Sequence, residues 1–356
     1  MALSSVKIVG SGLIGTSIGL ALASHNVRVL MADHNAQAKD LAQSLVDRGP
    51  SFESNHIFDV VIFAVPPSAF GAVLKEESAL NSVSTFVDVM SIKTKPLHQV
   101  EGLAEVLPRY VGTHPMAGRE VSGAQSARGD LFRGRPWIVT SNKVSSAASM
   151  ELTLELINFC GGIAIHMDSE EHDQAMALIS HVPQLLASLL AGELVESDPK
   201  WLGLIGQGFK DLTRIADSDS LLWKEIISEN SSNIATVLSG LRVKISELEA
   251  TLKEPAVAEA LIESGNKGRA LIPGKHGSSV RSYVFLHIVI DDKAGQLAAI
   301  FNDCAAADVN IEDVSIEHTP GQNTGLVTLS ILDVEKASHL EQFLGSKGWK
   351  VHSTRN

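Results

Sequence analysis

The stretch that decides the fold is VKIVGSGLIGTSIGLALA, residues 6–23. Four residues of strand composition lead into Gly10-Ser11-Gly12-Leu13-Ile14-Gly15, and an apolar helical pattern follows. Gly10 suits a tight turn, Gly12 lets a pyrophosphate approach the backbone, and Gly15 lets the helix pack on the strand. The N-terminus of that helix would face the phosphates. The stretch therefore predicts a dinucleotide site.

An acidic residue at the end of the second predicted strand supports this prediction. Asp33 follows Gly15 by 18 residues, where a carboxylate binds the adenosine ribose and repels a 2′-phosphate. We therefore expect NAD rather than NADP. Leu13, Ile14 and the Val65-Pro66 pair after a later strand should also line the cofactor. The alternative, glycines that only shape a turn, is less favoured because strand, glycines, helix and acid coincide.

Short β-branched runs alternate with helical patterns in the first half of the chain. The predicted strands are Val6–Gly10, Val27–Met31, Val60–Ala64, Thr85–Val89 and Trp137–Thr140. Such alternation is typical of a Rossmann-type, doubly wound parallel sheet. We assign this α/β domain to residues 1–167.

The pattern changes twice further along the chain. Residues 168–263 have helical periodicity and predict an all-helical domain. Its helical segments are Asp173–Val195, Trp201–Ile215, Leu221–Leu238 and Leu241–Leu252. Residues 264–279, SGNKGRALIPGKHGSS, have linker composition. Residues 280–356 show a β-α-β-β-α-β order, which is the ferredoxin-like pattern.

Composition limits the kind of partner. Of 356 residues, 44% are hydrophobic and 20% charged, as in ordinary globular proteins, and the formal net charge is -12. That charge argues against nucleic acid or an anionic membrane as the main partner. Cys160 and Cys304 lack metal or redox-pair spacing. With neither a signal peptide pattern nor an uninterrupted apolar run of roughly 18–20 residues, we expect a soluble cytoplasmic protein.

Five motifs occur in order over roughly residues 6–255. They are GSGLIGTS (10–17), DVMSIK (88–93), GTHPMAG (112–118), ISHVP (179–183) and GFKDLTRIA (208–216). Together they resemble the prephenate/arogenate dehydrogenase family, and the C-terminal segment separately resembles an ACT regulatory domain. The resemblance implies an NAD-dependent homodimeric enzyme of tyrosine biosynthesis that oxidises a cyclohexadienyl acid with loss of carbon dioxide.

Two residues are candidates for the chemical step. Oxidation of a carbon that bears a hydroxyl requires a base for the hydroxyl proton, and histidine is the usual choice. His114 follows a short predicted strand at the carboxyl edge of the sheet, where open α/β folds bind ligands. The alternative is a turn histidine bonded to backbone. The resemblance places Ser91 and Lys93 in a loop between cofactor and substrate, with Ser91 bonded to His114 or to the substrate hydroxyl.

Three further residues are candidates for binding the substrate. His181 shares a predicted apolar helix face with Leu178 and Leu185. By itself this suggests a core histidine, but the resemblance makes it a substrate ligand. Arg214 offers a planar fork for a carboxylate, the alternative being a solvated helix arginine. The resemblance pairs Glu120 with Arg214 in the empty site. Gln184 stands where the family often has a second histidine.

A cluster of possible metal ligands lies between the first two domains. His166, Met167, Asp168 and His172 are close in sequence. Their spacing matches no established pair of metal ligands on a helix, so we interpret them as structural and expect no metal.

The C-terminal domain has a candidate effector site. By the ACT resemblance, an amino acid such as tyrosine or phenylalanine binds near Gly295, with Asn310 and Ile311 as further contacts. Ala294 stands where the family commonly has proline. The alternative is an ACT fold kept only for dimer packing.

Three alternatives for the activity stay open at this point. The substrate is prephenate, with a keto side chain, or arogenate, with an amino one. A β-hydroxyacid dehydrogenase would share the first two domains and rely on a lysine, for which Lys210 is the near candidate. A non-catalytic sensor of NAD and an amino acid is the third, but intact His114, His181 and Arg214 disfavour it.

Overall fold

The structure is a computed structural model of the whole chain. It describes residues 3–47, 49, 52–53, 56–118, 123–272, 283–291, 293–318 and 324–355. The chain divides into two compact units, Met1–Ile245 and Ser246–Asn356, and each is described by itself.

The first unit begins with a seven-stranded sheet. Its strands are β1 (Ser5–Val9), β2 (Arg28–Ala32), β3 (Val60–Phe63), β4 (Thr85–Asp88), β5 (Tyr110–Pro115), β6 (Pro136–Ser141) and β7 (Ile163–His166). Their order across the sheet is β2-β1-β3-β4-β5-β6-β7. The helices that follow the strands are α1 (Leu13–Ser24), α2 (Ala36–Val46), α3 (Pro67–Leu80), α4 (Thr94–Glu101) and α5 (Ala147–Phe159).

The predicted parallel sheet is confirmed for its first five strands. β6 runs antiparallel to β5, and β7 pairs parallel with β6, so the last two strands point the other way. Parallel neighbours need a long crossover, usually a helix. The β5–β6 connection, as far as the structure describes it, holds only the 3₁₀ turn Ala124–Ser126. The sequence patterns missed β7, and His114 lies within β5 rather than after it.

Both faces of the sheet are covered. Every residue of β3 and β4 is buried, as expected for central strands between two layers of helices. One cluster of buried side chains includes Ile8, Leu22 and Trp137. The other, on different strand positions, includes Phe63 and Phe70. Each such buried side chain stabilises the fold by about 1.5–3 kcal/mol. The well-packed sheet therefore holds the residues at its carboxyl edge in fixed positions.

Helices follow the sheet. They are α6 (Ser169–Met176), α7 (Val182–Gly192), α8 (Pro199–Leu202), α9 (Gln207–Thr213), α10 (Ser220–Glu229), α11 (Ser231–Thr251) and α12 (Pro255–Ala270). One π-helical turn, Ala177–His181, joins α6 to α7. The predicted all-helical character is confirmed, but the break between the third and fourth predicted segments lies at Asn230, where α10 ends, rather than near Gly240.

Helix α12 extends into the predicted linker. It takes in residues 264–270, and residues 273–279 lie outside the described part of the chain. The helix begins with Pro255 in its first turn and carries Lys267 and Arg269 in its last. Proline suits a helix start and cations suit a helix C-terminus, which explains why this Gly- and Lys-rich stretch stays helical.

The continuous helical stretch Ser169–Gly192 is long and apolar enough to cross a membrane by length and composition. This is weak support for a membrane span, because the core helix of a soluble protein passes the same test. His172, Asp173 and His181 are buried within it. Ionisable residues are costly in a bilayer, so we interpret it as a helix of the folded domain that buries these polar residues on one side.

The second unit contains a four-stranded antiparallel sheet. Its elements are β8 (Val284–Asp291), α13 (Gln296–Ala306), β9 (Asp313–His318), β10 (Thr324–Ile331), α14 (Val334–Ser346) and β11 (Lys350–Arg355). The strand order is β11-β8-β10-β9. Alternate residues of β8 are buried and pack in one core with α13 and α14. The β-α-β-β-α-β order is the predicted one.

A buried ion pair braces the edge of the first sheet. The Lys93 ammonium, fully buried, pairs with Asp88 at the end of β4 and donates to the Thr113 carbonyl oxygen at 2.6 Å. The other oxygen of Asp88 accepts from the Tyr110 hydroxyl at 2.6 Å. Burial lowers the pKa of Lys93, and Asp88 opposes that shift. The pair ties β4, β5 and the chain before α4 together.

The substitution Lys93→Met should destabilise the protein by about 3–5 kcal/mol, because it leaves the Asp88 charge buried without its partner. Lys95→Met is the matched control, since the Lys95–Glu229 ion pair is partly exposed and such pairs contribute about 0–1 kcal/mol. Urea-induced unfolding followed by circular dichroism measures both. Equal losses for the two variants would contradict the role of the buried pair.

Candidate active site

The glycine turn after β1 has the geometry that close packing requires. Gly10 has φ +107°, and a Cβ there would lie 2.1 Å from the Ala64 carbonyl oxygen. A Cβ on Gly15 would lie 2.1 Å from the Gly10 carbonyl oxygen. At Gly12 a Cβ would meet nothing within 4 Å, and this residue starts α1 without a side-chain cap. The turn therefore leaves an open space at a helix N-terminus, where backbone N–H groups attract phosphate.

Asp33 lies beside this turn. One carboxylate oxygen accepts from the Ser11 backbone N–H at 2.7 Å, and the other accepts from Asn35 N–H at 2.8 Å. The buried Ser11 hydroxyl has no hydrogen-bond partner among the described residues. An oriented carboxylate, an open turn and an unpartnered hydroxyl together fit a dinucleotide.

The remaining predicted cofactor residues border the same edge. Leu13 and Ile14 form the first turn of α1. Val65 and Pro66 connect β3 to α3, which has Pro67 in its first turn. Since β1 and β3 pair in parallel, their carboxyl ends bring these two connections to one edge of the sheet.

His114 is the penultimate residue of β5 and is half-buried. Its Nδ1 lies 2.9 Å from Nε2 of His172, and the two rings meet edge to face. Burial lowers the pKa of His114 well below its usual value, and the nearby His172 and Lys93 add to the shift. The neutral form needed for a base is therefore favoured.

Asp173 completes a chain that starts at His114. The Nδ1 atom of His172, a fully buried residue, lies 2.8 Å from an Asp173 carboxylate oxygen. The same carboxylate accepts the backbone N–H groups of Lys93 at 2.8 Å and Thr94 at 2.9 Å. Burial alone would raise the pKa of Asp173, but hydrogen bonds from His172 and Thr94 lower it. Asp173 is thus an anchored anion.

His181 lies at the end of the π turn and is 1% exposed. Its Nδ1 lies 3.1 Å from Nδ2 of Asn230, which also donates to the main-chain oxygen of Asp173 at 2.7 Å. The Trp223 ring meets His181 edge to face at 6.0 Å. Burial lowers the pKa of His181 to about 4, so its imidazole is neutral near pH 7.

The predicted face shared by His181, Leu178 and Leu185 is wrong for Leu178. Leu178 is 60% exposed while His181 is buried. In the π turn the Val182 N–H bonds the Ala177 carbonyl oxygen, five residues back. This widened turn holds one residue more than an α-helical turn and shifts the phase of the helix.

The structure does not bring every predicted residue to His114. Ser91 is half-buried, but the described residues show no hydrogen bond between it and His114. Arg214 is exposed and starts the 3₁₀ turn Arg214–Ala216, which packs on α7. Glu120 lies outside the described residues. Their roles therefore stay predictions.

Other polar residues have local partners. Gln184 donates to the Ser218 hydroxyl at 2.6 Å, and Lys210 is exposed on α9. Asp168 caps α6 through the Glu170 N–H. Within the described residues no group of three or more His, Cys, Asp or Glu side chains could hold a metal ion.

Sequence reasoning did not predict the roles of three residues that organise this site, namely His172, Asp173 and Asn230. The one available signal was the His-Asp pair at 172–173, on the same predicted helical segment as His181. Nine residues separate the two histidines, which places them about half a turn apart on a regular α-helix. Nevertheless, His172 contacts the Asp173 carboxylate. His181 contacts Asn230, which also donates to the main-chain oxygen of Asp173.

Comparison with known proteins agrees with this geometry. The family model for the prephenate dehydrogenase nucleotide-binding domain matches residues 18–166, and the model for the prephenate dehydrogenase dimerization domain matches residues 168–264. A probable prephenate dehydrogenase, NovF, from Streptomyces niveus is 31% identical, with 97% of this chain and 99% of that protein aligned. The Bacillus subtilis prephenate dehydrogenase is 25% identical over 96% of each chain.

Solved structures give the same result. The crystal structure of prephenate dehydrogenase from A. aeolicus, in complex with hydroxyphenyl propionate and NAD+, superposes with a TM-score of 0.68 at 27% identity. The match covers 76% of this chain and 99% of that one. On these matches over its sheet and helical domains, the chain belongs to the prephenate dehydrogenase family.

Proposed function

We propose that this chain catalyses the NAD-dependent oxidative decarboxylation of prephenate to 4-hydroxyphenylpyruvate. The observation that carries the proposal is His114, a neutral and accessible histidine on the sheet edge that also carries the glycine turn. Relatives aligned over nearly their whole length have the name prephenate dehydrogenase. The similar A. aeolicus structure holds NAD+ and a hydroxyphenyl acid.

The chain's own residues fit NAD. The backbone at Gly12 and the N-terminus of α1 would bind the pyrophosphate, and Asp33 would bind the adenosine ribose. Val65 and Pro66 would border the nicotinamide half. Bound NAD supplies the acceptor for the hydride, and the protein supplies orientation and charge.

The reaction balances with one base. The hydroxyl proton of the ring passes to His114 as the electron pair of the adjacent C–H bond leaves as hydride, and a ring carbonyl forms. The bond from the opposite ring carbon to its carboxylate then breaks and releases carbon dioxide. Its electron pair enters the ring and makes it aromatic. The resulting phenolate oxygen takes a proton back, so His114 returns to its neutral form.

The substrate carries two carboxylates, which need local donors because the protein is acidic overall. His181 and Arg214 are the proposed ligands, the first as a neutral N–H donor and the second as a charged fork. Glu120 is the proposed partner of Arg214 before substrate binds. Ser91 is proposed to contact the substrate hydroxyl, since it has no hydrogen bond to His114.

Prephenate is favoured over arogenate by the relatives that align along nearly the whole chain. The Synechocystis arogenate dehydrogenase structure is only 19% identical, so that likeness concerns the fold. The β-hydroxyacid alternative would need a catalytic lysine in the helical domain, whereas both matching domain models describe prephenate dehydrogenases.

A second copy of the chain is the proposed partner of the helical domain. The domain matches a dimerization domain, and it exposes large apolar side chains on its helices. These include Leu178, Ile179, Leu189, Val243 and Ile245. Exposed apolar side chains in such number favour an interface with another protein chain, and two-fold homodimers are the commonest assembly.

The C-terminal unit is proposed to be an ACT-type module that binds tyrosine or phenylalanine. Its β-α-β-β-α-β order is the one found in such modules. Gly295 starts α13 with φ +89°, and a Cβ there would meet nothing within 4 Å. Asn310 and Ile311 precede β9, and the Asn310 amide donates to Glu312 at 2.8 Å. An open backbone and an exposed amide are suitable contacts for an amino acid.

The substitution His114→Asn should lower kcat for prephenate with NAD by about 10²–10⁴-fold, the usual contribution of a general base. Binding of prephenate should persist, because asparagine keeps the polar contact and size. NADH absorbance measures turnover, and calorimetry measures binding. Arogenate run in parallel is the substrate control. Failure of the wild-type protein to oxidise prephenate would contradict the proposed function.

The substitution Asp33→Asn should raise KM for NAD about tenfold or more, because a hydrogen bond to a charged group contributes about 1.5–3 kcal/mol. Use of NADP should rise at the same time, since the repelling charge is gone. The matched control is Asp40→Asn, an exposed position on α2. An unchanged NAD-to-NADP ratio in the Asp33 variant would contradict its contact with the ribose.

Tyrosine or phenylalanine should inhibit prephenate oxidation by binding to the ACT-type module. Asn310→Ala should weaken that inhibition by removing an exposed contact. Asn302→Ala, an equally exposed position on α13, is the matched control. Initial rates at increasing amino acid concentration measure the effect, and kinetics unaltered by both amino acids would leave the module with a packing role.

A further inference from the structure

The positions of the ring protons in the His114–His172–Asp173 hydrogen-bond chain can be assigned by starting from Asp173. The Asp173 carboxylate is anionic at neutral pH, so it only accepts hydrogen bonds. Its oxygen lies 2.8 Å from Nδ1 of His172, and that nitrogen therefore carries the proton. Because His172 is fully buried, its ring is neutral, and its Nε2 has a free lone pair.

The next link fixes His114. Its Nδ1 lies 2.9 Å from the Nε2 lone pair of His172, so Nδ1 of His114 must be the donor. A neutral imidazole has one N–H. Nε2 of His114 is consequently unprotonated, and it is the atom able to take a proton from the substrate.

The orientation of Asp173 does not depend on substrate. Two backbone N–H groups, from Lys93 and Thr94, hold its oxygens at 2.8 and 2.9 Å. The Lys93 ammonium is directed elsewhere, to Asp88 and the Thr113 carbonyl. The anion at the end of the chain is therefore fixed by main-chain geometry.

A second set of hydrogen bonds, through Asn230, fixes His181 in the other tautomer. The Asn230 side chain lies 2.7 Å from the main-chain oxygen of Asp173, and a carbonyl oxygen only accepts, so this atom is the amide nitrogen. Asn233 donates to the Asn230 oxygen at 2.8 Å, which agrees. The second amide hydrogen then meets Nδ1 of His181 at 3.1 Å. That nitrogen is the acceptor, and Nε2 of His181 carries the proton.

We propose that His172 and Asn230 are positioning residues that set the two site histidines in opposite tautomers. His114 presents a bare Nε2 as base, and His181 presents an N–H donor to an anionic or carbonyl group of the substrate. The inference deepens the proposed function and rests on it for the substrate. When His114 takes the proton, its charge arises next to neutral His172, with the Asp173 carboxylate one ring away.

The tautomers of His114 and His181 can be measured by NMR independently of enzymatic activity. Two-bond ¹H–¹⁵N correlation spectra of the full chain labelled in histidine distinguish protonated from bare ring nitrogens, and His114→Asn and His181→Gln assign the signals. The expected result at pH 7.5 is a proton on Nδ1 of His114 and on Nε2 of His181. The reverse tautomer at either residue would overturn the proposal, whereas lack of prephenate oxidation would affect only the proposed function.

Paired variants at position 172 test the role in catalysis. Glutamine can place its amide oxygen where Nε2 of His172 lies and so accept from His114, whereas asparagine is too short to reach. His172→Asn should lose on the order of 10²-fold in kcat with KM little changed, and His172→Gln should keep much more of the rate. Equal losses in the two folded variants, or a loss confined to KM, would contradict positioning of the base.

A variant at Asn230 tests the hydrogen bond to His181. Asn230→Asp replaces the donor with an acceptor, so Nδ1 of His181 gains the proton and Nε2 loses it. KM for prephenate should rise at least tenfold with a smaller change in kcat, and the spectra should show the switched tautomer. A switched tautomer with unchanged KM would contradict the donor role of His181.

Discussion

The carboxylate of Asp173 is the contact on which the site depends. It binds the backbone N–H groups of Lys93 and Thr94 at the start of α4, and it binds His172 on its own helix. One anion thereby joins the sheet edge to the first helix of the helical domain. An unpartnered buried charge costs several kcal/mol, so any movement that separated α4 from α6 would be unfavourable because this carboxylate would lose its two backbone donors.

Other contacts around this anchor link the same two parts of the first unit. Glu225 on α10 accepts the backbone N–H and hydroxyl of Ser68, at 3.1 and 2.9 Å, where α3 begins. The partly exposed Lys95–Glu229 pair joins α4 to α10. Because α10 ends at Asn230, these contacts also set the position of the amide that bonds His181. The cofactor side and the substrate side of the site are therefore positioned by shared helices.

Sequence patterns predicted the parts of this site whose signals are local. The glycine turn could be predicted because tight packing allows only glycine at Gly10 and Gly15. Asp33 and His114 could be predicted because one follows a strand and the other lies near the end of a buried one. The role of His172 could not, because its distance from His181 along a regular helix suggests opposite faces. The π turn at 177–181 changes that relation, and it leaves no pattern in the composition. The direction of β6 likewise depends on a connection without a crossover helix.

Before the chemical step, the buried charge of Lys93 is paired and the buried histidines of the site are neutral. Lys93 and Asp88 neutralise each other inside the sheet edge, and burial keeps the three histidines neutral by lowering their pKa values. A permanently charged base would bind the anionic substrate more tightly but could not take its proton. If His114 is the base, as proposed, its ring becomes cationic only as the hydroxyl proton moves, beside groups already oriented to stabilise that cation. Interactions that strengthen only along the reaction raise the rate rather than the affinity, and a preorganised Asp173 provides such an interaction without further movement of the protein.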